Sequence, residues 1–127
     1  MSKKDKSSLS AKLDFFERVY AVVREIPPGR VTSYGMIGEF LGAKSSARMV
    51  GYAMNAVGDR IDIPAHRVVN RSGLLTGKFH FETQNTMKER LLSEEIEFIQ
   101  EDQVNMEKHC WIPSDELPAA FRLALVR

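Results

Sequence analysis

Residues 62–73 read Asp-Ile-Pro-Ala-His-Arg-Val-Val-Asn-Arg-Ser-Gly. A histidine carries protons near neutrality, an arginine beside it grips an anion or a carbonyl, and a preceding proline stiffens the backbone that presents both. Such residues surround an activated nucleophile. Yet the position between Pro64 and His66 is Ala65, and a methyl group neither attacks nor loses a proton. Three readings stay open: a disabled reaction centre, a binding site with another purpose, or an ordinary turn closed by Gly73. The single cysteine, Cys110, lies in Lys-His-Cys-Trp-Ile-Pro. His109 is only its neighbour in sequence, and Trp111 suggests a packed tail rather than a reactive thiol. His66, His80 and His109 lack metal-ligand spacing, so neither a metal nor a cofactor is expected.

The elements that must position these residues are mostly helical. Leu9, Leu13, Phe16, Tyr20 and Val23 recur at four- and three-residue steps and predict a buried helical stripe over 9–26, capped by Ser8 or Ser10. Pro27, Pro28 and Gly29 end it. Thr32 or Ser33 caps a short second helix from Tyr34 to Gly42. Ser45 and Ser46 open a third over 45–57, in which Met49, Ala53 and Ala56 form one face beside Val50, Met54 and Val57. Arg48, Tyr52 and Asn55 point elsewhere. This third helix carries small residues (Ala47, Gly51, Ala53, Ala56), which suit either close approach to another surface or packing inside the core. After a loop over 58–63, two apolar-rich stretches within 65–81 flank Arg71-Ser72-Gly73 and predict a small hairpin or wing. A fourth helix is predicted over 82–98 with Met87, Leu91 and Leu92 inward, followed by an apolar tail that folds back. The expected fold is therefore mainly α with a small β-hairpin, a winged helix-turn-helix with residues 45–57 as its recognition helix. Residues 1–8 read as a disordered basic tail and 9–127 as one domain.

Composition limits the function. The chain has 127 residues, 43% of them hydrophobic and 28% charged, as in a soluble globular protein. It has no apolar run long enough to span a bilayer and no secretory h-region. One cysteine rules out an internal disulfide and fits a reducing, cytoplasmic setting. The net charge of +1 hides a division: residues 40–81 carry six basic and two acidic side chains, residues 82–107 two basic and eight acidic ones. A basic centre beside an acidic segment is either a one-sided field suited to a polyanion or a mixed surface divided by chance.

Four ordered stretches, Val-Thr-Ser-Tyr-Gly-Met-Ile-Gly from residue 31, Ser-Ser-Ala-Arg-Met-Val-Gly-Tyr-Ala-Met-Asn-Ala from 45, Ile-Pro-Ala-His-Arg-Val-Val-Asn-Arg-Ser-Gly from 63 and Lys-Glu-Arg-Leu-Leu-Ser-Glu-Glu from 88, resemble the C-terminal DNA-binding domain of the O6-alkylguanine-DNA alkyltransferases. The resemblance covers roughly residues 12–96. The family's reactive cysteine falls on Ala65, which is similar to the alkyltransferase-like proteins. These bind alkylated guanine without repairing it and pass the site to nucleotide excision repair. Many of them carry Trp at this position.

The resemblance implies a non-enzymatic damage sensor for duplex DNA carrying O6-alkylguanine, acting as a monomer through the minor groove, with repair proteins as partners and no membrane. Arg48 resembles the finger that fills the gap left by a flipped nucleotide, and Tyr34 the tyrosine that pushes on the adjacent phosphate. Ser45, Ser46, Ala47, Gly51 and Asn55 complete the expected DNA face. Met54, Ala65, His66, Val69, Lys78 and Phe79 are expected to line the lesion pocket. Glu95 falls where the family's glutamate pairs with the histidine, and with no thiol to activate, His66, Glu95 and Arg67 are expected to be structural. Val57 stands in the place of a pocket asparagine. Two rivals remain: a winged-helix transcription regulator indifferent to alkylation, and an active transferase with another nucleophile.

Overall fold

The computed structural model describes residues 14–42 and 47–126. The expected tail over 1–8, the caps at Ser8 and Ser10, and Leu9, Leu13, Ser45 and Ser46 lie outside them. Helix α1 spans residues 14–23 and buries Val19, Tyr20, Val22 and Val23. Its turn from Tyr20 also carries a polar tie, since the buried phenol donates to the Ala53 carbonyl at 2.7 Å. The proline pair at 27–28 stops it. Strand β1 (Thr32–Ser33) runs straight into α2 (Tyr34–Phe40), with the Ser33 hydroxyl accepting from the Met36 amide at 3.2 Å as the N-cap. Helix α3 (Ala47–Asn55) packs on α1 and α2 through Val50, Ala53 and Met54. Val23, Ile37, Phe40, Val50 and Trp111 form the centre of this first apolar core.

A second core lies below the first and is built from Val31, Val69, Leu75, Met87, Leu91, Ile96 and Val104. Strand β2 (Val68–Val69) joins the two cores by pairing in parallel with β1, Thr32 opposite Val68 and Ser33 opposite Val69. A short 3₁₀ turn, Ala65–Arg67, leads directly into β2. The pairing therefore fixes the Pro-Ala-His-Arg turn beside the start of α2.

This corrects the expected hairpin over 65–81. Val68 and Val69 are 1% and 0% exposed, so both faces of the strand need cover, which the two cores supply, Val68 facing the first and Val69 the second, and a solvated wing would not. The residues that follow form a tight loop in which Asn70 Oδ1 accepts from the amides of Ser72 and Leu74. Gly73 has φ +90°, and a β-carbon there would sit 2.6 Å from the Val104 carbonyl, so only glycine fits. The small antiparallel hairpin of the fold instead joins β3 (Phe98–Gln100) to β4 (Gln103–Val104).

The fourth helix is shorter than its apolar pattern. Helix α4 spans Thr86–Ser93; Met87 and Leu91 are buried, but Leu92 is 51% exposed rather than inward. A second 3₁₀ turn, Lys78–His80, precedes it. The tail folds back as α5 (Met106–His109), α6 (Pro113–Glu116) and α7 (Ala119–Val126). The Trp111 amide donates to the Val31 carbonyl at 2.7 Å, and Phe121 lies 6.4 Å from the Phe40 ring. Among the described residues no helix is long and apolar enough to cross a membrane.

Candidate functional site

The turn Ala65–Arg67 and the end of α3 wall a cleft of about 820 Å³, with the loop over 57–63 on one side and His80, Phe81 and Arg90 on the other. Met54 and Asn55 enter it from α3, and Ala65 and His66 from the turn. No side-chain nucleophile stands at the Ala65 position.

One carboxylate organises the turn. Glu94 accepts from His66 Nε2 at 2.7 Å, from Arg67 Nη2 at 2.7 Å and from the Gly29 amide at 3.2 Å, while Arg67 Nη1 donates to the Ile26 carbonyl at 2.8 Å. The side chains of His66, Arg67 and Glu94 are 11%, 15% and 13% exposed. Burial alone would raise the Glu94 pKa. The hydrogen bonds from Arg67, His66 and Gly29 outweigh it and hold the carboxyl at about 2. Burial lowers the His66 pKa, more than the Glu94 contact raises it. An ionised Glu94 only accepts, so a neutral His66 carries its proton on Nε2, donated to Glu94. The imidazole is thus locked as a floor of the cleft.

The expected partner, Glu95, is not part of this cluster. Helix α4 ends in a Schellman motif: the Ile96 amide bonds the Leu91 carbonyl at 3.1 Å and the Glu95 amide the Leu92 carbonyl at 2.9 Å. Glu95 occupies the left-handed position, φ +64°, and is exposed. Glu94, at the C-cap, turns inward. The position carried over from the family falls on the wrong one of two adjacent acids, because the helix has already ended at Ser93.

The expected pocket also needs correction at three residues. Val69 is fully buried in the second core and does not line the cleft. Lys78 pairs with Asp102 at 2.9 Å and lies over the Phe79 ring, and neither lines the cleft. Gly77 starts a 3₁₀ turn that carries Lys78 and Phe79 away and brings His80 and the following Phe81 to the wall instead. Sequence reasoning missed Glu94, Phe81 and Arg90, and the spacing contains no signal for the latter two.

Helix α3 presents a second surface. Arg48, Tyr52 and Asn55 are exposed at steps of four and three, on the side opposite Val50, Ala53 and Met54; Ala47 is exposed as well. A β-carbon at Gly51 would meet nothing within 4 Å, so internal packing does not demand a glycine there. Arg48 lies six residues before Met54, about 9 Å along the axis from the cleft. Tyr34 is half-buried at the first turn of α2, and a β-carbon at Gly77 would come within 3.1 Å of its hydroxyl. An exposed helix face with a cation thus borders the cleft.

Residues 14–97 match the family model described as 6-O-methylguanine DNA methyltransferase, DNA binding domain. The chain belongs to this family. Alkyltransferase-like protein 1 of Schizosaccharomyces pombe is 35% identical over 104 residues, covering 79% of this chain and 96% of that protein. The DNA base-flipping protein of Escherichia coli is 32% identical over 99 residues, covering 76% and 74%. A crystal structure of S. pombe Atl1 in complex with damaged DNA containing O6-carboxymethylguanine superposes with a TM-score of 0.68 at 34% identity, covering 77% of this chain and 94% of that one. Within the family, this member has Pro64-Ala65-His66-Arg67 at the cleft floor.

Cys110 is not placed to replace a missing thiol. It is half-buried on the far side of β1, its Sγ lies 3.6 Å from Met36 Sδ, and burial pushes its pKa up. His109 is turned to other work, with its ring nitrogens on the Gly29 carbonyl and the Glu97 amide. Among the described residues no group of three His, Cys, Asp or Glu side chains could hold a metal ion.

Proposed function

We propose that this protein is a non-enzymatic reader of O6-alkylguanine: it binds duplex DNA through the minor groove, takes the damaged nucleotide out of the stack into the cleft, and marks the site for nucleotide excision repair. The observation that carries this reading is the cleft floor: a methyl group, Ala65, beside an imidazole whose Nε2 proton is committed to Glu94. Such a floor admits a base and offers no thiol to accept its alkyl group. The relatives, a DNA base-flipping protein and Atl1 in complex with damaged DNA, support the same reading.

In this mechanism the α3 face approaches the groove, and Gly51 and Ala47 leave room for the backbone. Arg48 enters the stack where the nucleotide leaves; its planar guanidinium stacks and donates to the orphaned base. Tyr34, from the start of α2, presses on the adjoining phosphate. Extrusion costs a few kcal/mol and least for a weakly paired base, so selection begins before the cleft is reached. Met54 and Ala65 then supply apolar contact, and the space above Ala65 takes adducts larger than methyl.

Incubation with duplex carrying one labelled O6-methylguanine, read for both affinity and covalent transfer, tests the proposal. Tight, lesion-selective binding without transfer is expected; sequence-dependent binding indifferent to alkylation, or label on the protein, overturns it. Arg48→Ala should weaken binding to the damaged duplex by about tenfold or more with little change in thermal stability, and unchanged affinity would remove its assignment as the finger.

A further inference from the structure

Among the described residues four arginines line the cleft, and three of them are neutralised. Arg24 pairs with Asp62 at 2.9 Å, Arg60 reaches Glu17 at 3.4 Å and Asp62 at 4.0 Å, and Arg67 is held by Glu94 at 2.7 Å. Arg90 differs. Among the described residues no carboxylate lies within 4.0 Å of it, although Asp59 and Glu82 also line the cleft. Its guanidinium instead lies 5.5 Å from the centre of the Phe81 ring, itself a wall of the cleft. Arg90 stands one helical turn before Glu94 on α4, hence on the side that faces the 65–67 turn. Its positive charge is near enough to His66 to disfavour the imidazolium.

We infer that Arg90 is a specificity-determining residue of the cleft, the counter-ion for O6 adducts that end in a carboxylate. This rests on the reading above, in which the guanine enters over Ala65, and adds the chemical class of adduct preferred. The neutral His66 gives an anion no charge, and Arg67 has no free charge to give, so a carboxylate reaching past Ala65 meets one unpaired cation. The Phe81 ring orients that cation without neutralising it. A guanidinium binds a carboxylate with two parallel hydrogen bonds, which also favours a planar anionic group over a neutral one of equal size.

The test compares four duplexes: unmodified, and with O6-methyl-, O6-carboxymethyl- or O6-carbamoylmethylguanine, the last being a neutral match in size for the carboxylate. The wild-type protein should favour carboxymethyl over carbamoylmethyl by about five- to tenfold, and Arg90→Gln should reduce that ratio to about one while keeping the preference for methylated over unmodified DNA. Arg90→Lys, which keeps the charge but not the fork, should retain part of the ratio. A ratio unchanged in Arg90→Gln overturns the inference. So does a loss of affinity equal across all four duplexes, since that would make Arg90 a contact to the DNA backbone. A wild-type protein that ignores every adduct overturns the parent reading instead, and this inference with it.

Discussion

Replacing Glu94 by alanine removes the one group that ties three segments of the site. The Arg67 guanidinium, 15% exposed, would keep only its bond to the Ile26 carbonyl, and His66 and the Gly29 amide would lose their acceptor. Breaking a buried ion pair by deleting one partner costs about 3–5 kcal/mol, and the open cleft beside the pair argues for the lower end, about 3 kcal/mol. For a chain of this length that corresponds to a fall in melting temperature of roughly 10 °C. Glu95→Ala is the control: an exposed residue outside the cluster should change stability by no more than about 0.5 kcal/mol. Glu95→Gly should stabilise by about 0.5–1 kcal/mol, because φ +64° strains any side chain. Urea unfolding followed by the fluorescence of Trp111, the sole tryptophan and 3% exposed, measures all three. Equal effects of Glu94→Ala and Glu95→Ala, or a Glu94→Ala cost under about 1 kcal/mol, would refute the role of the C-cap carboxylate.

Other outcomes follow from the same geometry. The depressed Glu94 pKa contributes stability above the ordinary carboxylate value of 4.5 that is lost as pH falls toward about 2, and the lowered His66 pKa makes acid below 6.5 act in the same direction. Unfolding free energy should therefore fall steadily from pH 7 to 3, by about 1–2 kcal/mol from Glu94 after allowing for solvent at the cleft, and the profile should flatten in Glu94→Gln; a stability maximum near pH 4 would contradict this. Gly51→Ala should stabilise the fold by up to about 1 kcal/mol, since the added methyl meets open space, yet weaken binding to damaged duplex severalfold; both are read by pairing thermal melts with anisotropy titrations. Ala65→Cys should give at most trace transfer from labelled O6-methylguanine, because Val57, Lys78 and Phe79 also depart from the family's residues; stoichiometric transfer would show that the His66–Glu94 pair, whose Nδ1 can take a proton while Nε2 donates to Glu94, still activates a thiol.

Much of the architecture was legible because it depends on local rules. Period and prolines placed α1 through Tyr20 and Val23, Thr32 or Ser33 announced α2, and on α3 the split of Ala53, Val50 and Met54 from Arg48, Tyr52 and Asn55 followed from period, although Ala56, read on the same face as Ala53, is exposed. The Pro-Ala-His-Arg turn stood out by residue type alone. What spacing misjudged were features set by partners distant in the chain. Val68 and Val69 read as half of a local hairpin, but full burial gave them a partner 36 residues earlier, in parallel. The resemblance, too, placed Lys78 and Phe79 in the pocket, yet a 3₁₀ turn carries them out and brings Phe81 in.

The sequence by itself determined that position 65 carries a methyl group and no thiol, a matter of covalent structure that no packing can alter. It also determined where α2 begins, because a serine cap acts within a few residues. Only the tertiary structure decided which acid serves His66 and Arg67. Two adjacent glutamates are equivalent to any pattern, but a left-handed residue at the end of α4 sends one to solvent and turns the other into the site. It decided likewise that Arg90, one charge among many in the sequence, is among the described residues the cleft arginine left without a carboxylate, because ion pairing depends on which segments the fold brings within a few ångströms of one another.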